Sequence, residues 1–139
     1  MTGARRLRTI GLIVVSALLA AFFGFVGFMK AFAPMAELAI HRAWVVGLPV
    51  PLARAIGWSE MLCALILLVG AVARPAWATG AAIVLIVNQL VALSVHLARG
   101  ETGALPQNLV LLGLLGIVVI ASRASAGPRP SPAAPSFGG

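Results

Sequence analysis

The chain has 139 residues, of which 61% are hydrophobic and only 9% charged, and its mean hydropathy is +1.08. That leaves too little polar surface to coat a water-soluble domain of this size, so the chain belongs in a bilayer. The formal net charge of +7 does not point to nucleic acid, because the ten Lys and Arg residues stand singly or just outside apolar runs and form no basic stripe.

Residues 1–8 read as a basic N-terminal segment carrying Arg5, Arg6 and Arg8, followed by a first span from Thr9 to Ala31. The apolar run Ile10 to Met29 exceeds the roughly 7–15 residues of a signal-peptide core, and Pro34 would follow the cleavage-like Ala31-Phe32-Ala33, so an uncleaved span is expected. On a helical wheel Ala17, Ala20, Gly24, Gly27 and Ala31 make a small-residue stripe of the kind that lets helix backbones approach closely. Leu18, Phe22, Phe25 and Met29 occupy another face.

Pro34, Gly47, Pro49 and Pro51 bracket the first loop. Within it, Met35 to Val46 carries Glu37 and His41 four residues apart with Trp44 on the same side, a pattern that predicts a short interfacial helix.

The second span, Ala53 to Val72, has Ala53, Gly57, Glu60, Cys63 and Ala64 on one face and Trp58, Leu62, Leu65, Ile66 and Val69 on the other. Glu60 thus falls on the packing side. An intramembrane carboxylate needs a partner or a proton and is by default a functional candidate. Cys63 is the single cysteine, which excludes an intramolecular disulfide, a paired-thiol redox centre and a Cys-based zinc site, and reads as a small buried hydrophobe.

Arg74-Pro75 makes a tight turn into the third span, Ala76 to Ala98, where Asn88, Ala92, His96 and Arg99 follow one face. Asn88 is expected to make an interhelical hydrogen bond, accompanied by Gln89. Gly100 to Gly103 turns into the fourth span, Pro106 to Ser122, with Asn108 in its first turn. The segment 123–139 is rich in Pro, Ala, Ser and Gly without apolar periodicity and reads as a disordered tail. The expected fold is an all-α polytopic four-helix bundle, each span near the roughly 20 residues that cross a bilayer of about 30 Å.

With the N-terminus inside, six basic residues (Arg5, Arg6, Arg8, Arg74, Arg123, Arg129) lie on the cytoplasmic side and four (Lys30, Arg42, Arg54, Arg99) lie outside. The positive-inside rule then predicts a multi-pass protein of the cell membrane with both termini cytoplasmic. Up-down topology gathers Lys30, Arg54, Glu60, His96, Arg99 and Asn108 into one outer layer. Gly24, Gly27 and Gly57 are the expected packing positions. The histidines and carboxylates have no metal-ligand spacing, so no metal site is expected.

Three stretches in this order, "GFVGFMKAF", "ARAIGWSEMLCALILLVGAVARP" and "LSVHLARGE", resemble the DoxX-like family of small four-helix membrane proteins, over roughly residues 10–122. The pieces that carry the resemblance are Lys30, the trio Arg54, Gly57 and Glu60, and His96. The resemblance implies a four-helix membrane bundle and, through some relatives, association with quinone-linked sulfur oxidation or oxidative-stress complexes. The Cys pair that a thiol-linked quinone enzyme would use is absent. Three functions stay open. One is an accessory or binding subunit whose outer pocket, edged by Glu60 and His96, takes a quinone-like or other amphipathic molecule, a quinone being the cofactor class indicated and other membrane or redox subunits the partners. Another is a membrane enzyme in which Glu60 gives or takes a proton. The third is a structural partner without a ligand.

Overall fold

The computed structural model describes residues 3–125. Five helices follow in order: α1 (Gly3–Phe32), α2 (Met35–Ile40), α3 (Val50–Ala73), α4 (Pro75–Ala98) and α5 (Leu105–Ser125), with a 3₁₀ turn at Thr102–Ala104 before the last. Four of them, α1, α3, α4 and α5, are long and apolar enough to cross a membrane. Packed together, they form an all-α bundle. Arg5, Arg6 and Arg8 lie on the opening turns of α1 rather than before it, since nothing in residues 3–8 breaks a helix. The expected tail falls almost wholly on 126–139, outside the described residues, as does Arg129; 123–125 complete α5.

Large side chains fill the middle of the bundle, where Leu19 and Phe23 of α1 meet Leu67 of α3, Leu85 of α4 and Leu115 of α5, all essentially inaccessible. Over its first two thirds α1 therefore buries Leu12, Ser16, Leu19 and Phe23 rather than the small stripe that Ala17 and Ala20 suggest. A helix facing the centre of a bundle needs volume there; small residues help only where two backbones cross. That crossing is between α1 and α3, at Gly27 and Gly57. A Cβ on Gly27 would lie 2.7 Å from Gly57 O, and one on Gly57 would lie 2.6 Å from Gly27 O. Gly24 is different, since its Cβ would reach only Ala64 Cβ at 4.0 Å, an ordinary contact. A second close approach, at Gly70, was not singled out from sequence: its Cβ would meet Ala78 N at 2.5 Å. It closes the α3–α4 hairpin around the single linking residue Arg74, whose guanidinium lies over Trp77.

The outward faces are apolar. Leu18, Leu62, Leu65, Val72, Val87 and Ile120 are all more than half exposed, a surface suited to lipid tails and not to water. The chain is a multi-pass membrane protein in contact with the bilayer.

The first loop departs from the expected amphipathic helix over Met35 to Val46. Helix α2 stops at Ile40, and Arg42 takes a left-handed conformation at φ 51°. The Arg42 N–H then bonds Ala39 O, and the Ala43 N–H bonds Leu38 O. This paired left-handed C-cap reverses the chain. It tucks Trp44 (8% exposed) and Val45 (0%) against Leu38, Ala53 and Ala92 as a second apolar cluster. Burying these side chains overrides the helical periodicity that would have left Trp44 on the surface.

Candidate functional site

Lys30 occupies the last turn of α1 and Glu60 the third turn of α3, and the Gly27–Gly57 crossing brings those turns together. Lys30 Nζ lies 2.5 Å from Glu60 Oε1, and both side chains are almost wholly buried. Asn88 Nδ2 donates to the same carboxylate oxygen at 2.5 Å. One oxygen thus ties α1, α3 and α4 together. Arg54 Nη1 donates to the Lys30 carbonyl at 2.7 Å, satisfying one of the orphan acceptors at the end of α1 and placing a cation at the negative end of its dipole. Lys30 Nζ also stands 5.2 Å from the centre of the Trp44 ring, a cation–π distance.

His96 belongs to a separate pair. At the end of α4, Gly100 adopts φ 69°, its N–H bonds Leu97 O, and the Glu101 N–H bonds His96 O. This C-cap, the same device as at Arg42, folds Glu101 back until its Oε2 lies 2.6 Å from His96 Nδ1. Arg99 donates to Val46 O and pins the first loop to the end of α4. Asn108 Nδ2 bonds Ala104 O at 2.9 Å, within its own first turn. The six residues expected in one layer do share one end of the bundle. They divide into the connected set Lys30, Arg54 and Glu60, the His96–Glu101 pair, and two residues, Arg99 and Asn108, that serve the backbone.

Beside these groups lies an open cavity of about 530 Å³. Phe25, Met29 and Leu111 contribute apolar wall, while Lys30, Trp44, Gln89 and His96 present polar groups. Glu60 and Arg54 do not line it, so the pocket edge expected at Glu60 is formed instead by its partner Lys30. The Trp44 Nε1 donor and the Gln89 Oε1 acceptor are buried in the lining without a hydrogen-bond partner among the described residues; Glu60 Oε2, outside the lining, also has none. Asn88 was foreseeable from its register four and eight residues before Ala92 and His96. Trp44 and Glu101 carried no periodic signal as cavity residues, because reversals of the backbone place them. Among the described residues no three His, Cys, Asp or Glu side chains gather in a group able to hold a metal ion. Cys63 is a buried free thiol within the apolar core.

A bundle of four membrane-crossing helices, with its buried polar groups concentrated at one end and an amphipathic cavity beside them, defines a class of small polytopic membrane protein. The model of the DoxX-like family matches residues 14–119, and the chain belongs to that family. No curated protein and no solved structure matches the chain.

Proposed function

We propose that this DoxX-like protein binds a quinone-like or other amphipathic small molecule in the cavity at the loop end of the bundle. The observation that carries this reading is the pairing of apolar and polar walls in a space of about 530 Å³, within the roughly 300–1,000 Å³ typical of small-molecule sites. Phe25 is both wall and lipid-facing surface, 66% exposed, which suits a ligand whose tail stays in the acyl region while its head passes inward. The Trp44 N–H is free to bind a ligand oxygen, and Lys30, held by Glu60, whose same oxygen also accepts from Asn88, has further N–H groups to offer. Lys and Arg counts favour a cytoplasmic N-terminus, which puts the cavity on the outer side. A role as an accessory subunit in a larger membrane assembly is what the family resemblance adds.

The test is mass spectrometry of small molecules retained by protein purified in mild detergent, comparing wild type with Trp44→Phe. Phenylalanine keeps the ring packing and removes the donor. An amphipath bound in the cavity is expected in the wild type and depleted in the variant. Equal retention by both, or only annular phospholipid in each, overturns the reading.

A structural reading is favoured for Glu60 itself. Its bonded oxygen is fully engaged in joining three helices, and it does not line the cavity. Glu60 acts here as a positioning residue for Lys30.

A further inference from the structure

We infer that the cavity selects an uncharged amphipath whose head both accepts and donates a hydrogen bond, a single-chain alcohol being the simplest case. The inference rests on the binding reading above and adds the chemistry of the head. Charge comes first: two of the ionisable groups in the wall are already matched inside the protein, Lys30 by Glu60 and His96 by Glu101. An anionic head would compete with these pairs and gain only Arg42 and the His41 ring, both exposed where they border the cavity. A cationic head would be desolvated beside Lys30. Either carries an uncompensated desolvation cost that a neutral head avoids.

Hydrogen bonding then specifies the head further. Trp44 is 8% exposed and Gln89 5% exposed, and both line the cavity. Trp44 Nε1 is a donor only, so it requires an acceptor; Gln89 Oε1 accepts nothing among the described residues, so it requires a donor. Leaving either buried and unmatched costs more than a hydrogen bond gains. A hydroxyl carries both functions, an oxygen that can accept from Trp44 Nε1 and a hydrogen that can pass to Gln89 Oε1. An ether, an ester or an oxidised quinone ring supplies acceptors alone and leaves Gln89 Oε1 unmatched; a quinol restores the donor.

The experiment uses the full chain in nanodiscs and scintillation-proximity binding of tritiated hexadecan-1-ol, with empty nanodiscs as baseline. Unlabelled hexadecan-1-ol, its methyl ether and hexadecanoate at pH 8 serve as competitors. The alcohol is expected to compete about tenfold better than the ether, the worth of one lost hydrogen bond, and better than the carboxylate. In Gln89→Leu, which replaces an unmatched polar group with an apolar one of similar size, the alcohol should lose its advantage over the ether. Saturable binding with ether or carboxylate equal to or better than the alcohol in the wild type overturns the head-group inference and leaves the cavity reading standing. Retained discrimination in Gln89→Leu also overturns it. No saturable binding above empty nanodiscs overturns both.

Discussion

The glycine crossing offers a test in which most confounding effects cancel. Gly24, Gly27 and Gly57 all sit within long helices, so changing any of them to Ala brings a similar gain in helix propensity of about 1 kcal/mol. They differ in what the new methyl group meets. On Gly57 it would lie 2.6 Å from Ala31 N and from Gly27 O, and 2.9 Å from Lys30 C, all backbone atoms that cannot rotate away. Restoring van der Waals separation requires α1 and α3 to part by on the order of 1 Å. Overpacking of this kind costs roughly 1–3 kcal/mol. On Gly24 the methyl makes one ordinary contact at 4.0 Å. Gly57→Ala and Gly27→Ala should therefore fall below Gly24→Ala in stability by roughly 1–3 kcal/mol, with Gly24→Ala at or above wild type. Cys63, the single cysteine and 8% exposed, serves as the reporter: a fluorogenic thiol dye labels it only as the bundle opens on heating in a fixed detergent. If Gly24→Ala melts as low as Gly57→Ala and Gly27→Ala, the account of the α1–α3 seam is wrong. Because Gly57 also presses on the Lys30 backbone, its variant should retain less small molecule than Gly24→Ala.

The ion pair gives a second test by denaturant titration. Glu60→Leu leaves Lys30 buried without a counter-charge and should cost about 3–5 kcal/mol, whereas Lys30→Met with Glu60→Leu should recover much of it and Glu60→Gln should lie between; a double variant worse than the single would refute this. The two left-handed C-caps should respond oppositely to substitution. Arg42→Gly relieves an unfavourable conformation and should hold or raise stability by up to about 1 kcal/mol, while Gly100→Ala imposes that conformation and should cost about 1–2 kcal/mol, both read from thermal melts. Reporter fusions after Arg74 and after Glu101 should report opposite sides of the membrane, the first cytoplasmic.

The parts of this fold that repeat were legible in the sequence, and the parts that reverse direction were not. The face of α3 carrying Ala53, Gly57, Glu60 and Cys63 is buried as its spacing predicts, and Trp58, Leu62 and Leu65 face outward. In α1 the same reasoning misplaced the upper stripe, because periodicity gives a helix two faces and only packing decides which of them meets the bulky centre. The loop was harder still. Arg42 in a left-handed conformation is not a residue type that announces such a turn, and it alone converts a continuing amphipathic pattern into a cap that buries Trp44. At Gly100 the residue type did signal a reversal, yet the consequence, Glu101 set against His96, depends on the 6→1 hydrogen bond that only the structure displays.

Those two caps also explain why the polar chemistry lies at one end of the bundle. At the other end α3 and α4 are joined through Arg74 alone, and Gly70 brings their backbones into contact, leaving no spare chain to form a wall. At the loop end 17 residues separate α1 from α3. That length lets α2 and the cap at Arg42 fold inward and cover the helix ends. Trp44 then shields the Lys30 side of the pair, and Arg99 ties the loop to α4 through Val46. A lysine so near a helix end would ordinarily extend to the interface; here Glu60, itself steadied by Asn88, draws it inward and the loop covers it. The cavity is bounded by what this folding leaves unfilled, between the loop, α1, α4 and the start of α5. Its polar lining therefore depends on the loop conformation as much as on the helices. Arg42→Ala, which retains the strained conformation but loses the guanidinium, should leave Trp44 in place and preserve binding of a neutral ligand. Deleting Glu37 to Ile40 should expose Trp44 to aqueous quenchers and abolish binding while the four long helices remain folded by circular dichroism. Preserved binding after that deletion would mean the helices alone make the site, and the role given to the loop would be wrong.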